Sequence, residues 1–177
     1  MYLRVAHTWY FLVTVIDAYS RYVMQWELLT TMTAMDVSLV IQEAVERTDA
    51  TPRLVTDSGS QFTAAEFKDL VRRFVLAHLR IRTYHPESNG VIEWFHWSTR
   101  DALAASDPQN LTQARTLIGT WVTYYNEKRL HAALGYLPPA EYYRGDTAAR
   151  QRERQQKLNQ ARQARRQTNT EQPRQAA

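Results

Sequence analysis

The spacing of apolar residues changes period along this chain, and each change marks an element. Tyr2-Leu3-Arg4-Val5 predicts a short strand, with a turn at Ala6-His7-Thr8. Trp9 to Ile16 is a nearly continuous apolar and β-branched run, the pattern of a strand covered on both faces. Asp17-Ala18-Tyr19-Ser20-Arg21 predicts the next turn, with Asp17 as turn former, and Tyr22 to Leu28 returns to complete a β-meander. The period then becomes helical. Val37, Val40, Ile41, Ala44 and Val45 share one face of a helix over Thr33 to Thr48, and Thr33 with Asp36 approximates a capping box. Arg53 to Thr56 reads as a strand, expected to be central and parallel to the first. Thr63-Ala64-Ala65-Glu66 reads as a capping box opening a second helix, with Phe67, Leu70, Val71, Phe74 and Val75 as its stripe. His78 to Arg82 predicts a closing strand.

Asn89 to Ala105 predicts a third helix that buries Ile92, Phe95, Thr99, Ala102 and Leu103. Asn89, Glu93, Trp97 and Arg100 lie on another face of it. Asp107-Pro108 breaks this helix, and Asn110 or Thr112 can cap a fourth running to about Tyr125. Pro138-Pro139-Ala140-Glu141 suits a short helix begun by proline. From Thr147 onward no apolar stripe exists, and Leu158 is the lone large aliphatic residue. That segment predicts a solvated helix to about Arg166 that frays into disorder. A meander followed by alternating helix and strand argues for an α/β fold, a mixed sheet with helices packed on it.

With 177 residues, 44% of them apolar, the chain suits about one domain with a real core. No apolar run approaches the ~20 residues of a membrane span. The N-terminus lacks the layout of a signal peptide. The absence of cysteine excludes disulfides and thiolate metal sites and fits a cytoplasmic protein. Charge is uneven. Residues 147–177 carry eight Lys/Arg against two acids, a balance of +6, which leaves 14 basic and 16 acidic residues in 1–146. Nucleic-acid contact must therefore come from local patches and the tail.

Two acids carry candidate chemistry. Asp57 follows the apolar run Leu54-Val55-Thr56 and precedes the tight turn Ser58-Gly59-Ser60; thirty-five residues separate it from Glu93. An acid at a strand end and one in the first turn of a helix can converge when a helix and a return strand lie between them. Paired carboxylates suit Mg²⁺ or Mn²⁺, hard ions that take oxygen ligands and serve phosphoryl chemistry. Taken alone, Asp before Ser-Gly is ordinary turn chemistry, and Glu93 is an ordinary exposed helix glutamate.

The frame around these acids adds to that reading. Thr56-Asp57-Ser58-Gly59-Ser60-Gln61-Phe62-Thr63 and His85-Pro86-Glu87-Ser88-Asn89-Gly90-Val91-Ile92-Glu93 resemble the second- and third-acid motifs of the DDE integrase core, shared by retroviral integrases and bacterial insertion-sequence transposases. Tyr10 to Arg21 resembles the second and third strands of that core, and Tyr124 to Tyr143 resembles the C-terminal signature of the transposases. The resemblance implies a ribonuclease H-like fold over residues 1–146, with a five-stranded mixed sheet of order 3-2-1-4-5, and leaves 147–177 as a basic tail. It implies that Asp57 and Glu93 are catalytic and metal-ligating, in a site that takes two Mg²⁺ (or Mn²⁺) ions when complete. Arg100, seven residues after Glu93, matches the family's DNA-contacting basic position; Asn89 and His85 in the motif loop, and Lys128 and Arg129 in the signature, are the further DNA-binding candidates. Trp94 and Trp97 depart from the pattern, standing where related sequences usually carry basic or small residues; they suit stacking on unpaired bases or packing on a partner subunit.

If Tyr2 matches the family tyrosine of the first strand, the family's first aspartate falls two residues before Met1. The implied function is DNA cleavage and strand transfer in transposition, with residues 1–177 inert by themselves for want of that acid. The alternative is a non-catalytic transposase remnant that binds DNA or intact transposase. Transposon-end and target DNA, a homo-oligomeric assembly, a cytoplasmic, nucleoid-associated location and no membrane association complete the expectation.

Overall fold

The computed structural model describes residues 1–48, 52–81, 90–145 and 147–171. Strands β1 (Tyr2–Val5), β2 (Thr8–Ile16) and β3 (Val23–Leu29) form the predicted antiparallel meander in the order β1-β2-β3. Leu3 sits opposite Tyr10 and Leu12 opposite Leu28. Met1 continues the first ladder, its ammonium donating to the Leu12 carbonyl at 2.8 Å and its carbonyl accepting from Leu12 N–H at 2.8 Å. Alternate residues of β2 serve two different cores. Tyr10, Leu12 and Ile16 pack into one with Leu3, Val5 and Leu28, whereas Val13 and Val15 pack into the other. This two-sided burial is the reason β2 reads as an unbroken apolar run. Asp17 forms the turn that follows, accepting hydrogen bonds from the Ser20 N–H and hydroxyl.

Helix α1 (Ala34–Glu46) covers the second face of the meander. Its capping box is formed as expected, with the Thr33 hydroxyl accepting from Asp36 N–H and the Asp36 carboxylate accepting from Thr33 N–H. Strand β4 (Arg53–Thr56) pairs in parallel with β5 (Ala77–Arg80), and α2 (Ala65–Arg73) makes the crossover. Three expectations are corrected here. Thr63 does not cap α2: Ser60–Phe62 forms a 3₁₀ turn, the Thr63 hydroxyl donates back to the Ser60 carbonyl, and Ala64 occupies the cap position. The stripe of α2 also ends early, because the chain turns at Val75 (φ 53°) and leaves that side chain 78% exposed. Finally, β5 begins at Ala77 rather than His78, placing Ala77 opposite Arg53.

The sheet is made of two hydrogen-bonded parts, β1-β2-β3 and β4-β5. Each part keeps the neighbours of the order 3-2-1-4-5, but among the described residues no ladder joins β1 to β4. Helices α3 (Gly90–Ser106) and α4 (Leu111–Glu127) cover the first face of the meander through Phe95, Leu103, Ala114, Ile118, Val122 and Tyr125. Asn110 caps α4, accepting from Gln113 N–H at 2.9 Å. The short helix α5 (Pro139–Tyr143) starts with proline as expected. Helix α6 (Thr147–Glu171) runs five residues beyond Arg166. Its first turns lean on α5 and the segment before it: Arg154 donates to the Gly135 carbonyl at 3.0 Å and sits over the Tyr136 ring, and Arg150 lies 3.6 Å from Glu141.

Candidate functional site

Strand β4 delivers Asp57 at its C-terminal end, and three hydrogen bonds hold the strand end in place. Ile81 N–H donates to the Thr56 carbonyl at 2.8 Å, the Ser58 hydroxyl donates to the Ile81 carbonyl at 3.1 Å, and Thr56 Oγ1 lies 2.9 Å from His78 Nε2. Burial, then the charge of Arg80, lowers the His78 pKa. The Asp57 carboxylate accepts from Gly59 N–H at 2.9 Å, closing an Asx turn. A Cβ on Gly59 would lie 2.4 Å from the Gln61 amide, so that side chain would have to swing aside to admit one. The Asp57 side chain is exposed at the tip of this turn.

Glu93 stands exposed in the first turn of α3. The opposite face of that helix is anchored. Phe95 is fully buried, with the Tyr125 ring edge-on at 4.9 Å, and Trp121 Nε1 donates to Thr99 Oγ1 at 3.0 Å. Of the expected buried face, Phe95, Thr99 and Leu103 are buried; Ser98 joins them, while Ile92 and Ala102 are only half-buried. Arg100 lies two turns from Glu93 on the same exposed face.

The Met1 ammonium links these elements electrostatically. Its pKa is lowered, chiefly by burial and then by the positive charge of Arg100, with the negative charge of Asp57 acting in the opposite sense. The start of β1, the end of β4 and the middle of α3 therefore share one charged neighbourhood. Asp57 and Glu93 are both exposed carboxylates, a donor type that suits a hard divalent cation completed by water. Among the described residues no group of three His, Asp or Glu side chains comes together. Both acids are of the donor type such an ion takes, and with no third ligand grouped with them among the described residues they do not by themselves make a two-ion site.

The remaining candidates separate. Asn89 and His85 lie outside the described residues. Lys128 is exposed just beyond α4. Arg129 is half-buried, its guanidinium 4.2 Å from the Trp94 ring centroid and 5.6 Å from that of Trp121, so it clasps α3 to α4. The signature segment also contains residues whose work was not anticipated. Asn126 is buried and pairs with both backbone groups of Val23, accepting at 2.9 Å and donating at 3.0 Å, which fastens the end of α4 to β3. Tyr143 stacks on Tyr22 at 4.5 Å, and Arg144 forms a two-pronged pair with Glu127. Only the packing shows that they fasten α4 and the end of α5 to each other and to the start of β3.

Two histidines beside this core are held neutral by burial. His96 is pushed down to about 3 and His131 to about 4, in each case chiefly by desolvation and then by nearby positive charge. Both have a buried Nε2 with no hydrogen-bond partner among the described residues. Protonation is easier in the unfolded chain, near pH 6.5. The unfolded state thus binds more protons below that pH, and stability is full above it and is lost as pH falls toward 4 and 3. Urea midpoints measured from pH 7.5 to 4.5 should therefore fall. In the variant His96→Phe/His131→Phe the fall should be shallower; an equally steep fall would show that other groups cause it.

Comparison with known proteins adds an independent finding. Two profiles described as integrase core domain match residues 1–86 and 76–139. An uncharacterized 39.2 kDa protein of insertion element IS476 from Xanthomonas euvesicatoria is 36% identical over 93 residues, 51% of this chain and 27% of that protein. The transposase of insertion sequence element IS904 from Lactococcus lactis subsp. lactis (strain IL1403) is 27% identical over 131 residues, 72% of this chain and 52% of the transposase. The chain thus spans about a quarter to a half of these two relatives. Among solved structures, the catalytic core domain of BIV integrase superposes with a TM-score of 0.65 at 23% identity, over 85% of this chain and 94% of that one. The HTLV-2 integrase catalytic core domain in complex with magnesium gives 0.62 at 16% identity, over 74% and 84% of the two chains. These likenesses show the fold, that of the ribonuclease H-like integrase cores.

Proposed function

Since this chain belongs to the integrase core domain family, we propose that it is the catalytic core of an insertion-sequence transposase, acting by metal-dependent phosphoryl transfer on DNA. Asp57 and Glu93 are the metal-holding carboxylates for Mg²⁺ or Mn²⁺. A divalent ion held there supplies Lewis acidity that acidifies a bound hydroxyl and neutralises charge at the scissile phosphate. Arg100, one helix face with Glu93, orients the DNA backbone by a charge-assisted contact. Lys128, Asn89 and His85 complete the DNA contacts, and Arg129 contributes through the Trp94 clasp. The observation that carries this reading is the integrase-core match over residues 1–86 and 76–139, with Asp57 following β4 and Glu93 in the first turn of α3. The resemblance puts the third carboxylate two residues before Met1, whose ammonium feels the charges of Asp57 and Arg100. Transposon-end and target DNA are the partners, within a homo-oligomer that works in the bacterial cytoplasm.

The test compares residues 1–177 with the same chain preceded by a segment carrying aspartate at that position. Two carboxylates do not set the roughly 3.5–4 Å separation of a two-metal site. Residues 1–177 alone should therefore be inert on transposon-end duplexes in Mn²⁺, and the extended chain should cleave them. Cleavage by the unextended chain that Asp17→Asn abolishes would refute the assignment of the acids.

The tail contributes differently. Helix α6 is polar on all sides, and its contacts to the core are exposed. With a +6 balance over 147–177, it supplies salt-sensitive affinity for phosphates and little stability. Deleting 147–177 should flatten the plot of log affinity against log salt while leaving the melting temperature within about 2 °C. An unchanged slope would assign DNA binding wholly to the core.

A further inference from the structure

Trp97 is 62% exposed on α3, four residues after Glu93 and three before Arg100. At about 100° per residue, Glu93, Trp97, Arg100 and Asp101 fall within roughly 100° of one another around the helix. Trp94, on the edge of this face, is already covered by Arg129 at 4.2 Å and met edge-on by His131 at 5.8 Å. No ring or guanidinium among the described residues covers Trp97. The apolar groove between α3 and α4, lined by Ala102, Leu103, Ser106, Leu117, Trp121 and Tyr124, does not continue onto this face. Ala102 lies about 140° around the helix from Trp97.

An uncovered indole ringed by Glu93, Arg100 and Asp101 is poorly suited to an apolar protein partner, which would strand those charges. It suits a ligand that brings a flat aromatic surface and an anionic backbone together. We propose that Trp97 is a stacking platform for an unpaired DNA base next to the phosphodiester held at Asp57 and Glu93, with Arg100 on the neighbouring phosphate. This rests on the reading of the acids as the reaction site, and it adds a preference: frayed or single-stranded ends bind better than closed duplex. One base stacked on an aromatic side chain is worth roughly fivefold to a hundredfold in affinity.

The test is binding of the 1–177 chain, in EDTA, to a single-stranded dT oligonucleotide and to a blunt duplex, read by tryptophan fluorescence and anisotropy. Without metal, it is independent of whether Asp57 and Glu93 hold an ion. Single strands should quench the fluorescence, and Trp97→Ala should weaken their binding about tenfold or more while changing duplex binding less than about twofold. Trp97→Phe should restore most of the loss. Melting curves of Trp97→Ala should overlay the parent, since the side chain is exposed. Failure of the parent chain to bind single strands, equal loss on both DNAs, or no loss would overturn the proposal. So would loss of self-association in Trp97→Ala, seen by sedimentation, with DNA binding intact; that outcome would assign the face to a second copy of the chain.

Discussion

Replacing Glu93 by glutamine lowers metal-dependent cleavage of transposon-end DNA by about a thousandfold or more, in the chain that carries the upstream aspartate. Glutamine keeps the length and one neutral acceptor but removes the charge that a hard divalent cation requires. Stabilisation of developing charge by the ion is worth several kcal/mol, and about 4 kcal/mol corresponds to the thousandfold loss. Glu93 is exposed, so the fold should change by less than about 0.5 kcal/mol. Asp57→Asn should match it, because asparagine still accepts from Gly59 N–H and preserves the turn. The double variant should be no worse than either single one, since each alone destroys the same ion site. Initial rates in saturating Mn²⁺ decide the matter. A Glu93→Gln chain that cleaves at the parent rate is not a metal enzyme of this design.

Phe95→Ala should be the most damaging core substitution, costing about 3–5 kcal/mol. Phe95 is fully buried two residues from Glu93, where α3, α4 and the meander meet, and it touches Tyr125 edge-on. The cavity cannot collapse easily, because Thr99 is hydrogen-bonded to Trp121 and Asn126 ties α4 to β3. For a chain of this size, each kcal/mol lowers the melting temperature by roughly 2–4 °C, so a fall of about 10 °C is expected. Phe95→Leu should recover about half of it. A loss below about 1 kcal/mol in urea denaturation would mean that α3 is held by something other than this contact. The result bears on function, because α3 is the support on which Glu93, Trp97 and Arg100 are displayed.

What the sequence determines by itself is local. The 3.6-residue stripe of α1 and its Thr33–Asp36 box need only neighbouring residues, and they form as read. The two-sided apolar run of β2 and the strand Arg53–Thr56 are equally local signals, as are the motif frames around Asp57 and Glu93. Where a local signal competes with a nearby partner, the structure decides: Thr63 turns to the Ser60 carbonyl and leaves the cap to Ala64. Asn126 reads as one polar residue near a helix end, but it pairs with a strand 103 positions away. Arg129 reads as a DNA-binding candidate, and the packing of Trp94 and Trp121 makes it a clasp. Likewise the shared neighbourhood of Asp57, Arg100 and Met1 joins three elements that no periodicity relates. Period and capping depend on a few adjacent residues and are written in the chain. Hydrogen bonds and charges between distant segments exist only once burial has brought those segments together, so the tertiary structure decides them.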